Sequence, residues 1–321
     1  MIRVFFSLLC FIGVQIGQAA AQDNYPSHPV RIVVPSPPAG GTDIIARVLA
    51  QHLSKALGQQ FFVENRPGAG NMIGIESVAR SPADGYTLLM VPSTLALNSV
   101  LYKRVNYDPI GDFAPITLAA TAPNVLIVNP SVPAKTLTEL IALAKMKPGE
   151  LVYGTPGIGT SPHMSMELLK SMAGLDIRHI PYRGTAPAVT DIISGQIHTM
   201  FATALTATAQ VEAGKVRALA VSGPKRIEAM PNVPPVSEAG VPGYEAMQWY
   251  GLVAPAGTPD VVIARLYAEV TRALRTGEMK EKLAADGAEP VGSTSAELAA
   301  LIKSELAKWA RVARTANIEP Q

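Results

Sequence analysis

The sequence predicts an α/β fold, and three observations carry that expectation. Short apolar runs alternate with amphipathic segments along the whole chain, the pattern of strands joined by helical crossovers in largely parallel sheets. The 321 residues, 48% of them hydrophobic, suffice for two medium-sized domains with cores of their own. Small polar clusters follow several of the apolar runs, where ligands sit in such folds.

Taken in order, the elements begin with a strand at 30–34, VRIVV, which is apolar and rich in β-branched residues. Pro37, Pro38, Gly40 and Gly41 break it, and a helical pattern opens at Thr42-Asp43 and runs to Leu57. Glycines let a backbone approach another group closely, and a helix N-terminus presents unpaired N–H groups. Together they suggest an anion site. Further strands are expected at 60–64, 87–91, 125–128, 151–153, 178–180, 198–201, 217–221 and 251–254. Helical patterns fall between them at 72–79, 137–146, 162–173, 186–194 and 204–213, and after them at 259–275 and 295–316. In the last, Leu298, Leu301, Ile302, Leu306, Trp309 and Val312 share one face at helical spacing and form a core stripe. Val91 runs into Pro92-Ser93-Thr94, Tyr153 into a Gly- and Thr-rich stretch ending at Ser161, and Phe201 into Ala202-Thr203. These loops and the opening one are expected to line a single cleft of amides and hydroxyls.

The N-terminus reads as an address. Arg3 precedes an apolar run, and Ala19-Ala20-Ala21 supply an A-x-A pattern, the form of a cleavable secretory signal peptide covering residues 1–21. The one cysteine, Cys10, lies inside it. The mature chain then has no thiol, disulfide or cysteine nucleophile, as fits a bacterial periplasm or surface. The formal charge of +2 loses Arg3 on cleavage, and only 16% of residues are charged. No basic run marks a nucleic-acid surface.

Enzyme signatures are sparse. The chain lacks G-x-x-x-x-G-K-[ST] and G-x-S-x-G, the marks of a P-loop and of a serine-hydrolase elbow. Gly68, Gly70 and Gly74 give a loose dinucleotide pattern with the wrong spacing. The histidines at 28, 52, 163, 179 and 198 have no metal-binding spacing. His163 reads either as a polar donor facing a ligand or as a capping and packing residue. Asp43, in a first helical turn, offsets the dipole and caps N–H groups. Asp191 is either solvated or tied to a neighbouring loop, and Arg183 either steers an anion or makes a surface ion pair. No acid/base dyad stands out. What remains is a binding site that takes its ligand through amides and hydroxyls.

Several motifs then resemble one family in order and spacing: Pro35-Ser36-Pro37-Pro38-Ala39-Gly40-Gly41-Thr42-Asp43, Val63-Glu64-Asn65-Arg66-Pro67-Gly68-Ala69-Gly70, Asp84-Gly85-Tyr86-Thr87-Leu88, Pro123-Asn124-Val125-Leu126, His179-Ile180-Pro181-Tyr182-Arg183-Gly184, and the run from Gly251 to Pro259. The chain resembles, from Tyr25 to its last helix, the periplasmic solute-binding receptors of tripartite tricarboxylate transporters, the Bug-type or TctC-like proteins.

The resemblance implies a two-lobed periplasmic binding protein of the second type, with a ligand cleft between the lobes. Lobe 1 would combine residues 23–122 and 252–321, and lobe 2 residues 123–251, with crossings near 123–125 and 250–252. It implies a receptor without catalytic activity, cofactor or metal. Such a receptor would be monomeric and periplasmic, would close on a small carboxylate, and would pass it to membrane permease subunits. Pro38, Ala39, Gly40, Gly41, Thr42 and Asp43 would hold one ligand carboxylate. Ser93 and Thr94 would line the same lobe, and Thr160, Ser161, His163 and Thr203 the other. A bulky residue in place of Gly40 would then abolish carboxylate binding without unfolding the chain. Ser36 stands where relatives often carry an aromatic, and Ala202 where many carry an acid, which leaves the distal end of the ligand open. The competing expectation is a secreted hydrolase built on Ser161 or Ser93 with His163.

Overall fold

The computed structural model describes residues 25–38, 41–284, 287–315, 318 and 320. The expected signal peptide, Ala39 and Gly40 lie outside the described residues.

Ten strands form one continuous sheet in the order β2-β1-β3-β9-β4-β7-β5-β6, with β10 and β8 also paired to β4. The strands are β1 Val30–Val34, β2 Phe61–Asn65, β3 Thr87–Pro92, β4 Phe113–Val128, β5 Val152–Thr155, β6 Arg178–Pro181, β7 Thr199–Thr203, β8 Arg217–Val221, β9 Met247–Pro255 and β10 Glu289–Pro290. The helices are α1 Gly41–Leu57, α2 Met72–Ala79, α3 Thr94–Leu101, α4 Leu137–Met146, α5 Ser161–Ala173, α6 Thr185–Ser194, α7 Ala204–Glu212, α8 Asp260–Leu274, α9 Gly277–Ala284 and α10 Ser295–Thr315.

The 16-residue β4 divides the sheet into two halves. Its first part, to Pro123, pairs with β9, and from Asn124 onward it pairs with β7 and β8. Burial alternates with the period of two that a strand requires. Val30, Ile32 and Val34 join one core of the first half, under α1 and α8, and Val33 joins another with Leu89 and Val253. In the second half Leu126 and Val128 face one core, and Val125 and Ile127 the opposite one. Each half is thus a sheet covered by helices on both faces, and every fully buried Val, Leu or Ile contributes about 1.5–3 kcal/mol.

The sheets are mixed rather than largely parallel. Strands β1, β2 and β3 run parallel, as do β5, β6 and β7. Around the middle, β9 and β4 are antiparallel to their neighbours. Helices α3 and α9, the two-residue β10 and the first part of β4 are not among the expected elements, and for α3 and β4 the reason is physical. Helix α3 buries Leu95, Ala96, Leu97, Asn98 and Leu101, so it shows no polar face to give a helical period. The first part of β4 carries Pro115, Pro123 and several alanines, all poor strand formers. Its register shifts between Pro115 and Thr117 and again between Leu118 and Ala120, the irregularities that admit proline to a strand. Among the described residues no helix is long and apolar enough to cross a membrane.

Candidate ligand-binding cleft

Where β4 and β9 pass between the two halves, a cavity of about 310 Å³ opens. It is lined by Gly41 of α1, Asn124 of β4, Ser161 of α5, Thr185 of α6, Thr203 at the end of β7, and Gln248 and Tyr250 of β9, among others. Among the described residues that line it, none is an Asp, Glu, Lys, Arg or His. Its character comes from backbone. The helices α1, α5, α6 and α7 all begin at this cavity, because lining residues come from the first turn of each. Every helix N-terminus carries about half a positive charge and unpaired N–H groups. No acidic residue occupies the first turn of α5, α6 or α7 to neutralise it.

The entry to α1 is fixed by side chains behind it. Asp43, 2% exposed, accepts from Asn65 Nδ2 at 2.9 Å and pairs with Arg47 at 2.9 Å. The same Asn65 amide donates to the Ser36 carbonyl at 3.1 Å, so one side chain at the end of β2 ties the loop after β1 to the helix it feeds. Thr42 is buried and Pro38 exposed. Of the described members of this expected cradle, Gly41 lines the cavity.

Ser93 lies one step back. Its hydroxyl donates to Gln248 Oε1 at 3.0 Å and so orients an amide of the lining. Thr94 instead accepts from Asn71 Nδ2 at 2.9 Å, away from the lining residues.

On the other side, Thr160 caps α5. Its hydroxyl donates to the Gly157 carbonyl at 2.8 Å and accepts from the His163 amide at 3.5 Å. Pro162 follows in the first turn, where a missing N–H is harmless. Ser161 accepts from Asn124 Nδ2 at 2.7 Å, which leaves its own hydroxyl proton to donate. Asn124 reaches Ser165 as well, at 3.1 Å. Thr203 caps α7 by accepting from the Thr206 amide at 3.4 Å.

His163 takes the packing role. It is 3% exposed, and its Nδ1 accepts from the Gly159 N–H at 3.2 Å. It stacks on His179 with centroids 4.5 Å apart, and His179 stacks on Tyr153 at 4.6 Å. Tyr153 in turn donates to Glu167, which pairs with Lys170 at 2.7 Å. Burial pushes the His163 and His179 pKa values down to about 4, helped by Lys170 and, for His179, by the neighbouring His163. Ser161 and His163 therefore each have another partner, Asn124 and Gly159, and do not make the hydrogen bond a nucleophile and its base require. Asp191 is tied to its loop neighbour, accepting from Tyr182 at 2.6 Å.

Asn124, Thr185, Gln248 and Tyr250 line the cavity without having been expected to. The signal for Asn124 was an amide opening an otherwise apolar run, and for Thr185 a position directly after Gly184 at a helix start. Gln248 is legible only once β9 lies beside β3.

Two covered half-sheets around a charge-free cleft faced by helix N-termini define a two-lobed solute-binding protein. The match to the tripartite tricarboxylate transporter family receptor spans residues 45–318, and the chain belongs to that family of periplasmic binding proteins. BugT of Bordetella pertussis is 36% identical over 314 residues, covering 96% of both chains. The structure of R. palustris Rpa4515 with adipate is similar at a TM-score of 0.81 and 37% identity, over 92% of this chain and all of that one. MatC from Rhodopseudomonas palustris with bound malate is similar at a TM-score of 0.77 and 32% identity, over 90% of this chain and 99% of that one.

Proposed function

We propose that the chain is a periplasmic receptor that captures a small carboxylate by lobe closure and delivers it to a tripartite tricarboxylate-type secondary transporter. The ligand is a di- or tricarboxylate, an acidic amino acid or an aromatic acid. The observation that carries this is the convergence of four helix N-termini on a cavity whose lining has no charged side chain. Such a surface selects anions through N–H dipoles without an arginine clamp. Similarity to structures holding adipate and malate supports the same class of ligand here.

Magnitudes agree. A hydrogen bond to a charged group contributes about 1.5–3 kcal/mol, and a helix terminus adds about 0.3–1 kcal/mol. Four or five contacts approach the roughly 8 kcal/mol of a micromolar complex after ordering costs. Residues 38–43 form one carboxylate cradle, with Ser161 and Thr203 reaching the ligand from the other lobe. Lobe 1 comprises residues 23–122 and 252–321, and lobe 2 residues 123–251. In support, β4 changes partners at Asn124 and β9 pairs with β3 and β4 alone. The protein works as a monomer, exported behind residues 1–21, with permease subunits as its partners.

The test is native mass spectrometry of the protein purified gently from its own host. One co-purified mass matching a small carboxylic acid is the expected result. An empty protein that shows no thermal shift with di-, tri- and aromatic carboxylates would overturn the reading.

A further inference from the structure

The last helix does not belong to one half of the molecule. Leu298 and Ile302 of α10 belong to the core that holds Val33, Leu89 and Val253 of the first half, whereas Trp309 and Val312 belong to the core that holds Leu126, Tyr153 and Phe201 of the second. Between these two contacts sits Glu305, an acid only 6% exposed. Its Oε2 accepts from two indoles, Trp249 Nε1 at 3.3 Å and Trp309 Nε1 at 2.7 Å. Its Oε1 pairs with Lys308, whose ammonium lies 4.6 Å from the Trp309 ring centroid. Trp249 is the residue of β9 between Gln248 and Tyr250, both of which line the cavity, and it pairs with Thr121 of β4. These indoles are the only two tryptophans of the chain.

Burying a carboxylate is costly unless donors surround it. Here the donors come from the strand that carries two lining residues and from the part of α10 seated on the other core. One oxygen atom therefore joins the cleft strand to α10, the helix that reaches both cores, while its bond to Trp309 stays within that helix. Lobe movement in a two-strand hinge is limited mainly by the strands. A third connection held at a single acceptor adds a defined stop.

We propose that Glu305 is a positioning residue of the cleft: its carboxylate clamps β9 to the helix that straddles the lobes and so sets how far the lobes open. Breaking the clamp widens the range of open forms and lowers the fraction ready to close on a ligand. Apparent affinity falls by that fraction. Only this last consequence rests on the receptor reading.

The clamp is tested by pulsed spin-label distances across the lobes, with labels on Lys215→Cys and Arg265→Cys, both exposed and one in each half. Three variants are compared in this background. Glu305→Leu removes the acceptor. Trp249→Phe keeps the ring but removes the donor that β9 supplies, and serves if the first variant fails to fold. Glu305→Gln can place its one carbonyl oxygen where Oε2 lies, keeping both indoles and losing only the Lys308 pair. Without any ligand, Trp249→Phe and folded Glu305→Leu are expected to broaden the distance distribution, while Glu305→Gln matches the parent. The Kd for adipate or malate, by calorimetry, should rise about tenfold in the broadened variants, the size of one lost hydrogen bond to a charged group. A folded Trp249→Phe protein with the parent's distribution overturns the clamp, whatever its Kd. A parent that takes up neither acid counts against the receptor reading alone, and the ligand-free distances still decide the clamp.

Discussion

Asn124 holds Ser161 by donating its side-chain amide to the serine hydroxyl, 37 residues on in sequence and 2.7 Å away in space. The bond joins the strand shared by both halves to the first turn of α5, at the wall of the cavity. Because the serine accepts, its proton points elsewhere, and an anion in the cavity is the acceptor best placed to use it.

Replacing Asn124 separates folding from binding. Asn124→Ala should cost about 1–3 kcal/mol of stability by leaving buried partners unmet, as read from urea unfolding. Asn124→Asp keeps the shape and can accept from Ser161 and Ser165, but it places a negative charge in the wall. We expect it to fold and to lose adipate and malate binding in calorimetry. Parental affinity in the Asp variant would show that the ligand charge does not approach this wall.

Gly287 and Ala204 make a second test. A Cβ added at Gly287 would lie 2.3 Å from the Ala204 Cβ, at the start of α7. Real side chains do not approach so closely, so Gly287→Ala should push α7 away from the strand end at β10. The position also has φ +65°, adding roughly 1 kcal/mol of backbone strain. We expect weaker carboxylate binding together with a lower melting temperature, followed by calorimetry and thermal unfolding. A variant with unchanged affinity would mean that this contact does not govern closure.

The buried imidazoles make stability depend on pH in a defined direction. Unfolded histidines bind protons below about pH 6.5, whereas His163 and His179 stay neutral in the folded protein down to about 4. Between those values the unfolded state binds more protons, so stability falls as pH falls. The effect is complete near pH 4 and absent above 6.5, and is on the order of 3 kcal/mol for the buried His163 and smaller for His179, which water partly screens. Urea unfolding from pH 7.5 down to 5 should show the wild type losing stability faster than His179→Gln. Parallel curves would mean that the ring is already charged in the folded state.

Much of this was readable from the chain alone. The strand at 30–34, the helices at 72–79 and 137–146 and the strand at 217–221 fall where alternation and amphipathic period put them. Gly41, Ser161 and Thr203 were expected at the ligand and line the cavity. Local signals could do this because helix starts after glycine, serine or threonine are written in neighbouring residues. They could not show that Asp43 faces Asn65, or that His163 stacks on His179, since those partners are fixed by strand order. Gln248 is the clearest case, for it meets Ser93 from 155 residues away. Helix α3 was hidden for the opposite reason, being buried too evenly to show a face.

The position of β9 also dictates when the molecule can be finished. Strands β3 and β4 are neighbours in sequence, yet β9 lies between them in the sheet. Until residues 247–255 have been made, the first sheet has a gap at its centre, and Leu89, Met90 and Val91 lack their partners on β9. Contacts of such long sequence separation form late and slowly. The front of this chain is thus left unfinished until its tail has been made.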